Sequence, residues 1–203
     1  LRLRDLARRD RVDEMTFELP LVGGDRPSGE LTLAQVADVV AAHLPADDPM
    51  ARYPPRLADP ALVADLRGFL TGSLDLVVRV PGSGGQPPRF AVIDYKTNRL
   101  GPAAQLSAWH YRPEALAAAM QAAHYPLQAL LYLVALHRYL RWRVAGYDPQ
   151  QHLAGVLYLF VRGMVGPATP REAGTPCGVF AWHPPPALVV ALSDLFDRGG
   201  GHR

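Results

Sequence analysis

Asp75, Asp94 and Lys96 form the set of charged side chains in this sequence best suited to a reaction. They stand in "GSLDLVV" and "FAVIDYKTN", apolar β-prone runs in which a charged side chain needs a special reason to be. Asp94 and Lys96 lie two apart, so on a strand they share a face while Tyr95 points the other way. The Pro/Gly stretch "PGSGGQPPR" separates the two runs and reads as a turn, which predicts a hairpin with Asp75 beside Asp94. Two bare carboxylates that close repel each other unless a cation sits between them or one keeps a proton. Hard oxygen ligands with open water positions suit magnesium or manganese. A lysine next to them could hold or help activate an attacking water, which is the chemistry of metal-dependent phosphodiester hydrolysis. An Asp–Lys pair on a strand is often a plain surface ion pair. Here "AVI" precedes Asp94 and "LVV" follows Asp75, and burying unpaired carboxylates is costly enough to select for a metal or a partner.

"VDEMTFELPL" alternates with Met15, Phe17 and Leu19 on one face and Glu14, Thr16 and Glu18 on the other, a strand pattern. Glu14 could approach a metal from that strand, although a Glu on the polar face of an edge strand is usually solvated. After the loop "GGDRPSGE", Thr32 caps a helix with an apolar stripe of Leu33, Val36, Val39 and Val40. Asp47 and Asp48 fall in a Pro-rich stretch that reads as an exposed loop. Strands follow at about 67–80 and 89–95; Gly72 would allow close backbone approach beside the first of them. Pro113 and Glu114 open a helix, and Pro126 begins or kinks a second running to about Val144. "HLAGVLYLFVRG" reads as an interior strand, a Gly/Pro-rich excursion spans 163–178, and "GVFAWH" leads to a last helix at about 186–198. The expected fold is α/β, a mixed central sheet flanked by helices.

Composition sets the bounds. The 203 residues suffice for one domain with a core, and 49% apolar with 20% charged residues is ordinary for a globular chain. No Walker-type phosphate loop appears. The net charge of +2 is too mild to argue for nucleic acid. Arg2, Arg4, Arg8, Arg9 and Arg11 cluster at the start, and Arg138, Arg141 and Arg143 close the long helix; dipole partners on a solvated face are the simpler reading of the second group. Cys177 stands alone, which leaves no disulfide framework and no thiolate metal site. His110, His124, His137 and His152 show no metal-ligand spacing, and His124 and His137 are expected in different helices. No leader-like or transmembrane-length apolar run is present, so a cytoplasmic protein is expected.

"RGFLTGSLDLVVRV" and "RFAVIDYKTNRLG", continued by "ALAAAMQAAHYPLQALLYLVALHRYLR" and "GVLYLFVRG" and preceded by "VDEMTFELPL", carry a family likeness. Nearly the whole chain resembles the nuclease domain at the C-terminal end of RecB, the helicase–nuclease subunit of bacterial RecBCD, within the PD-(D/E)xK nuclease superfamily. The resemblance implies a restriction-endonuclease-like core formed by residues 1–203, with Asp75 and Asp94 as metal ligands and the Tyr95 carbonyl as a third contact. It implies Mg2+ as cofactor (Mn2+ possible) and Lys96 as the catalytic lysine. It also places a Q-x-x-x-Y helical element on Gln128 and Tyr132, one turn apart on one face; without it, a Gln and a Tyr in a packed helix read as core. The implied activity is that of an exodeoxyribonuclease V in double-strand-break repair and recombination, acting on single strands and duplex ends of DNA. The implied partners are RecC- and RecD-like subunits and the RecA recombinase. The alternative is a noncatalytic fragment of the same subunit that docks helicase partners or recruits the strand-exchange recombinase. The chain begins "LRLRDLARRDRVDEM", and the family's upstream helical segment, with a histidine that helps bind the metal, is expected to be missing. The iron–sulfur branch of such nucleases needs four cysteines and is excluded.

Overall fold

The computed structural model describes residues 3–21, 31–62, 65–66 and 68–198. The loop expected at 23–30 and the expected strand start at 67 lie outside the described residues. The alternating segment forms β1 (Arg11–Pro20), an edge strand that buries Leu19 and packs Met15 and Phe17 against the core. It pairs antiparallel with β2 (Phe69–Val80), from Arg11↔Val78 to Pro20↔Phe69. The Pro/Gly turn returns the chain into β3 (Arg89–Lys96), antiparallel to β2 as the hairpin reading requires. β3 runs parallel to β4 (Leu153–Phe160), and β5 (Val179–Trp182) lies antiparallel on the far edge. The result is a five-stranded mixed sheet whose strands follow chain order from edge to edge.

Helices fill one face. α1 (Leu33–His43) starts at a capping box, with Gln35 N donating to Thr32 Oγ1 and Thr32 N donating to Gln35 Oε1. The crossover between the parallel strands carries α2 (Pro113–Ala122) and α3 (Tyr125–Arg143), and α4 (Pro186–Arg198) follows β5. Leu74, Val77, Val92, Val156 and Tyr158 of the sheet meet Val36, Leu130, Leu133 and Leu192 of the helices in the main core. A smaller core of Leu76, Val78, Ala91, Ile93 and Leu159 covers the other face, against Leu3 and Leu6. No described helix is long and apolar enough to cross a membrane.

One irregularity decides which residues of β4 face the helices. The β3–β4 register shifts between Phe90↔Leu153 and Val92↔Val156, a bulge at Gly155 with φ of 85°. A Cβ there would stand 2.3 Å from the Trp182 carbonyl oxygen. The extra residue moves every later side chain to the opposite face, so Val156, Tyr158 and Phe160 all join the helix side.

Several expectations need correcting. Arg138 is no solvated dipole partner: its guanidinium donates to Ser193 Oγ at 3.0 Å, to the Ser193 carbonyl at 2.9 Å and to Asp197 at 2.6 Å, tying α3 to α4. Asp48 is no free loop residue either. Its carboxylate receives the indole N–H of fully buried Trp182 at 3.0 and 3.1 Å, because an enclosed donor must find an acceptor. His124 and His137 belong to the same stretch, His124 as the left-handed residue that precedes α3 and His137 within that helix. The opening arginines face local acids, Arg8 reaching Asp13 at 3.1 Å; Arg2 lies outside the described residues.

Candidate active site

The site forms where two strands part. β2 stays bonded to β1 as far as Phe69, yet its ladder with β3 stops at Leu76↔Ile93. Asp75 and Asp94 come one residue beyond that last pair. At the fork the Tyr95 N–H has no strand partner and donates to Asp75 Oδ2 at 2.9 Å instead. In an extended strand the N–H and C=O of one residue leave by the same edge, so the Tyr95 carbonyl also faces the fork. The Tyr95 ring lies exposed on the opposite face.

Asp94 is 3% exposed. The Lys96 ammonium stands 2.8 Å from Asp94 Oδ2. Apart from this ion contact, the buried Asp94 Oδ2 has no hydrogen-bond donor. Burial pushes the Asp94 carboxyl above the ordinary carboxylate range. Lys96 pulls it back, Asp75 pushes it up again, and the Tyr132 hydroxyl draws it down.

Gln128 completes the surroundings of the ammonium. Its Oε1 accepts from Lys96 Nζ at 2.9 Å and from the Tyr158 hydroxyl at 3.1 Å, while its Nε2 donates to the Tyr132 hydroxyl at 3.0 Å. Those contacts fix which way the amide points. Burial, with Asp94 and Asp75 adding to it, pushes the Tyr132 hydroxyl up to about 12, so it keeps its proton. Asp75, Asp94, Tyr95, Lys96, Gln128 and Tyr132 therefore gather in one place, at the end of the sheet and under the first turns of α3.

Other singled-out residues sit around this group. Glu14 stands across from Asp75, between the pairs Asp13↔Leu76 and Met15↔Leu74, exposed and with φ of 53°. A non-glycine residue held there within a strand is strained, a feature that clusters at functional sites. Gly72 makes room for a side chain rather than a backbone: a Cβ would lie 2.5 Å from the Phe17 ring, which meets Tyr132 edge-on at 6.1 Å. The four histidines bond to Ser107, Tyr53, Tyr147 and the Asp148 carbonyl in turn, as residues of the framework.

The donors present fit a hard divalent cation. Two carboxylates and a main-chain carbonyl face the fork, and one buried carboxylate oxygen lacks a donor. Among the described residues, no three His, Cys, Asp or Glu side chains converge on a point, so such an ion would keep water in its shell.

Comparison with known proteins gives the relationship. No family model matches the chain. It is 54% identical over 202 residues to the RecBCD enzyme subunit RecB of Mycobacterium tuberculosis, covering 98% of this chain and 18% of that protein. The chain is homologous to part of RecB. RecB of Mycolicibacterium smegmatis is 52% identical over 200 residues, with 97% of this chain and 18% of the relative covered. RecB of Escherichia coli is 36% identical over 194 residues, covering 96% and 14%. The chain thus spans less than a fifth of the length of these curated relatives.

Two aromatic members of the site escaped the sequence reading. Nothing in the local sequence singles out Tyr125 or Tyr158, yet both rings border Lys96. One compositional signal was available. Of the 21 lysines and arginines in the chain, Lys96 is the only lysine.

Proposed function

We propose that this chain is a magnesium-dependent deoxyribonuclease domain of the RecB type, hydrolysing DNA phosphodiesters at the fork between β2 and β3. The observation that carries the reading is the Lys96 ammonium, shared between Asp94 Oδ2 and Gln128 Oε1 beside a second carboxylate, Asp75. The RecB relatives favour the same reading.

Asp75, Asp94 and the Tyr95 carbonyl would hold the metal. A bound divalent ion supplies an activated water and polarises the scissile phosphate. Lys96 donates hydrogen bonds toward charge that grows on the phosphoryl oxygens in the transition state. Gln128 holds the lysine from behind, and the Tyr132 hydroxyl orients the Asp94 carboxylate. Glu14, across from Asp75 in the strand pairing, would bear on the water shell. In a complete helicase–nuclease the strand would be delivered by RecC- and RecD-like partners, with RecA receiving the product, in recombinational repair in the cytoplasm.

Calorimetric titration with Mg2+ and with Mn2+ tests the metal assignment. Binding to the wild-type chain should vanish in Asp94→Ala. Equal affinity in both proteins would place the ion elsewhere and leave a noncatalytic docking role as the better reading.

A further inference from the structure

We propose that Tyr125 and Tyr158 form an aromatic cage that positions the Lys96 ammonium, acting on catalysis through the lysine rather than by touching the substrate. Its consequence for turnover rests on the nuclease reading above; the cage itself does not.

An ammonium has three N–H groups and no acceptor. The Asp94 carboxylate and the Gln128 amide oxygen lie within 2.9 Å of Nζ on one side. On another, Nζ sits 4.0 Å from the centroid of the Tyr125 ring and 5.2 Å from that of Tyr158. Both distances fall inside the range of about 6 Å over which a ring face attracts a cation. The Lys96 side chain is only 12% exposed, so the attraction operates with little water to weaken it.

The rings are held in place for the task. They stack on each other at 5.8 Å with 21° between their planes, making one wall. The Tyr125 hydroxyl donates to Asn98 Oδ1 at 3.1 Å, and the Asn98 carbonyl in turn accepts from the Tyr111 hydroxyl at 2.9 Å. The Tyr158 hydroxyl is committed to Gln128, the residue that also takes the lysine proton donor. Tyr158 lies directly across from Asp94 in the β3–β4 register, on the helix face only because of the bulge at Gly155. Tyr125 heads α3 because His124 takes a left-handed turn, with φ of 54°, while its ring bonds to the Tyr53 hydroxyl at 3.1 Å. An aliphatic wall would pack the lysine stem equally well. It would not attract the charged head.

The cage also accounts for the choice of residue. Arginine occupies every other basic position in the chain. A planar guanidinium presents its donors in a fixed fork, whereas a compact ammonium can address two oxygens and a ring face at once.

The 203-residue chain labelled with 13C- and 15N-lysine reports the cage directly, since Lys96 gives the one lysine ε-methylene resonance. In the wild type that resonance should be shifted upfield by ring current. The shift should persist in Tyr125→Phe and collapse in Tyr125→Leu, with Tyr125→Met as a second ring-free variant should leucine disturb folding. In Mg2+-dependent cleavage of single-stranded DNA, Tyr125→Leu should lower kcat on the order of tenfold with KM within roughly twofold, and Tyr125→Phe should restore most of that loss. An unshifted wild-type resonance, or a shift unchanged by loss of the ring, would overturn the cage. So would a phenylalanine variant as slow as the leucine one, which would assign the effect to the Asn98 bond. A wild-type chain that fails to cleave DNA while showing the ring-current shift would refute the nuclease reading and leave the cage standing.

Discussion

At the scale of single residues, the chain concentrates its demands on Lys96. An ammonium so little exposed is tolerated because a carboxylate, an amide oxygen and two ring faces replace its water. Lys96→Arg keeps the charge but forces a longer, flat group into a space shaped for a point donor. Turnover should fall by at least on the order of a hundredfold, as expected when a reacting group moves by about 1 Å. Single-turnover cleavage rates, with the thermal midpoint as a control for folding, check this; an arginine variant at wild-type rate would contradict it. Gln128→Leu removes an acceptor shared by Lys96 Nζ and the Tyr158 hydroxyl, leaving the lysine to Asp94 and the tyrosine to a long 3.4 Å contact with the Tyr125 carbonyl. It should cost about 1–3 kcal/mol of stability in urea titrations, the penalty for buried polar groups left poorly partnered. A midpoint unchanged from wild type would mean that water reaches both donors.

At the scale of elements, two departures from regular structure build the site: the fork between β2 and β3, and the bulge in β4. Gly155→Ala sets a Cβ against the Trp182 carbonyl and imposes φ of 85° on a residue that disfavours it. The variant should lose about 2 kcal/mol or more in chemical denaturation, with Tyr158 drawn away from Gln128. A loss well under 1 kcal/mol would mean that the bulge relaxes freely. The strands and long helices were legible because their apolar periods were clean, as in Met15, Phe17 and Leu19. Asp75, Asp94 and Lys96 were legible because charge interrupts apolar runs. Tyr158 was not, since a strand of near-continuous apolar residues does not reveal a one-residue bulge or the face each side chain takes. Tyr125 depends on the turn at His124, which no local pattern announces. Gln128 and Tyr132 stood out through family likeness alone, because a polar pair inside a packed helix can be explained as core. Asp48 and Arg138 were misread because their partners, Trp182 and Asp197, lie far away in sequence.

At the scale of the whole molecule, the main core packs behind the sheet that carries the site, and that core has its own sensitivity to pH. His137 is enclosed in α3, bonded to the Tyr147 hydroxyl at 3.0 Å. Burial lowers its pKa below the ordinary 6.5, Arg141 and Arg138 lower it further, and Asp194 and Asp197 act in the opposite sense. The unfolded chain therefore takes up a proton near pH 6.5 that the folded chain still refuses. The stability contribution is present above that pH and is lost as the pH falls toward the lower folded value. Urea midpoints should decline as the pH is lowered below 6.5, and His137→Gln should flatten the decline; an equal slope in both proteins would exclude His137 as its source. Above that range the framework should be intact, and nuclease chemistry at the fork can be assayed without interference from unfolding. The most direct measurement is cleavage of end-labelled single-stranded DNA by the 203-residue chain in Mg2+, alongside Lys96→Ala and a chelator control. The wild type should cleave, and both the substitution and the chelator should abolish cleavage while the fold survives. No cleavage by the wild type, or cleavage that persists without Lys96 or without the metal, would contradict a nuclease site at the fork.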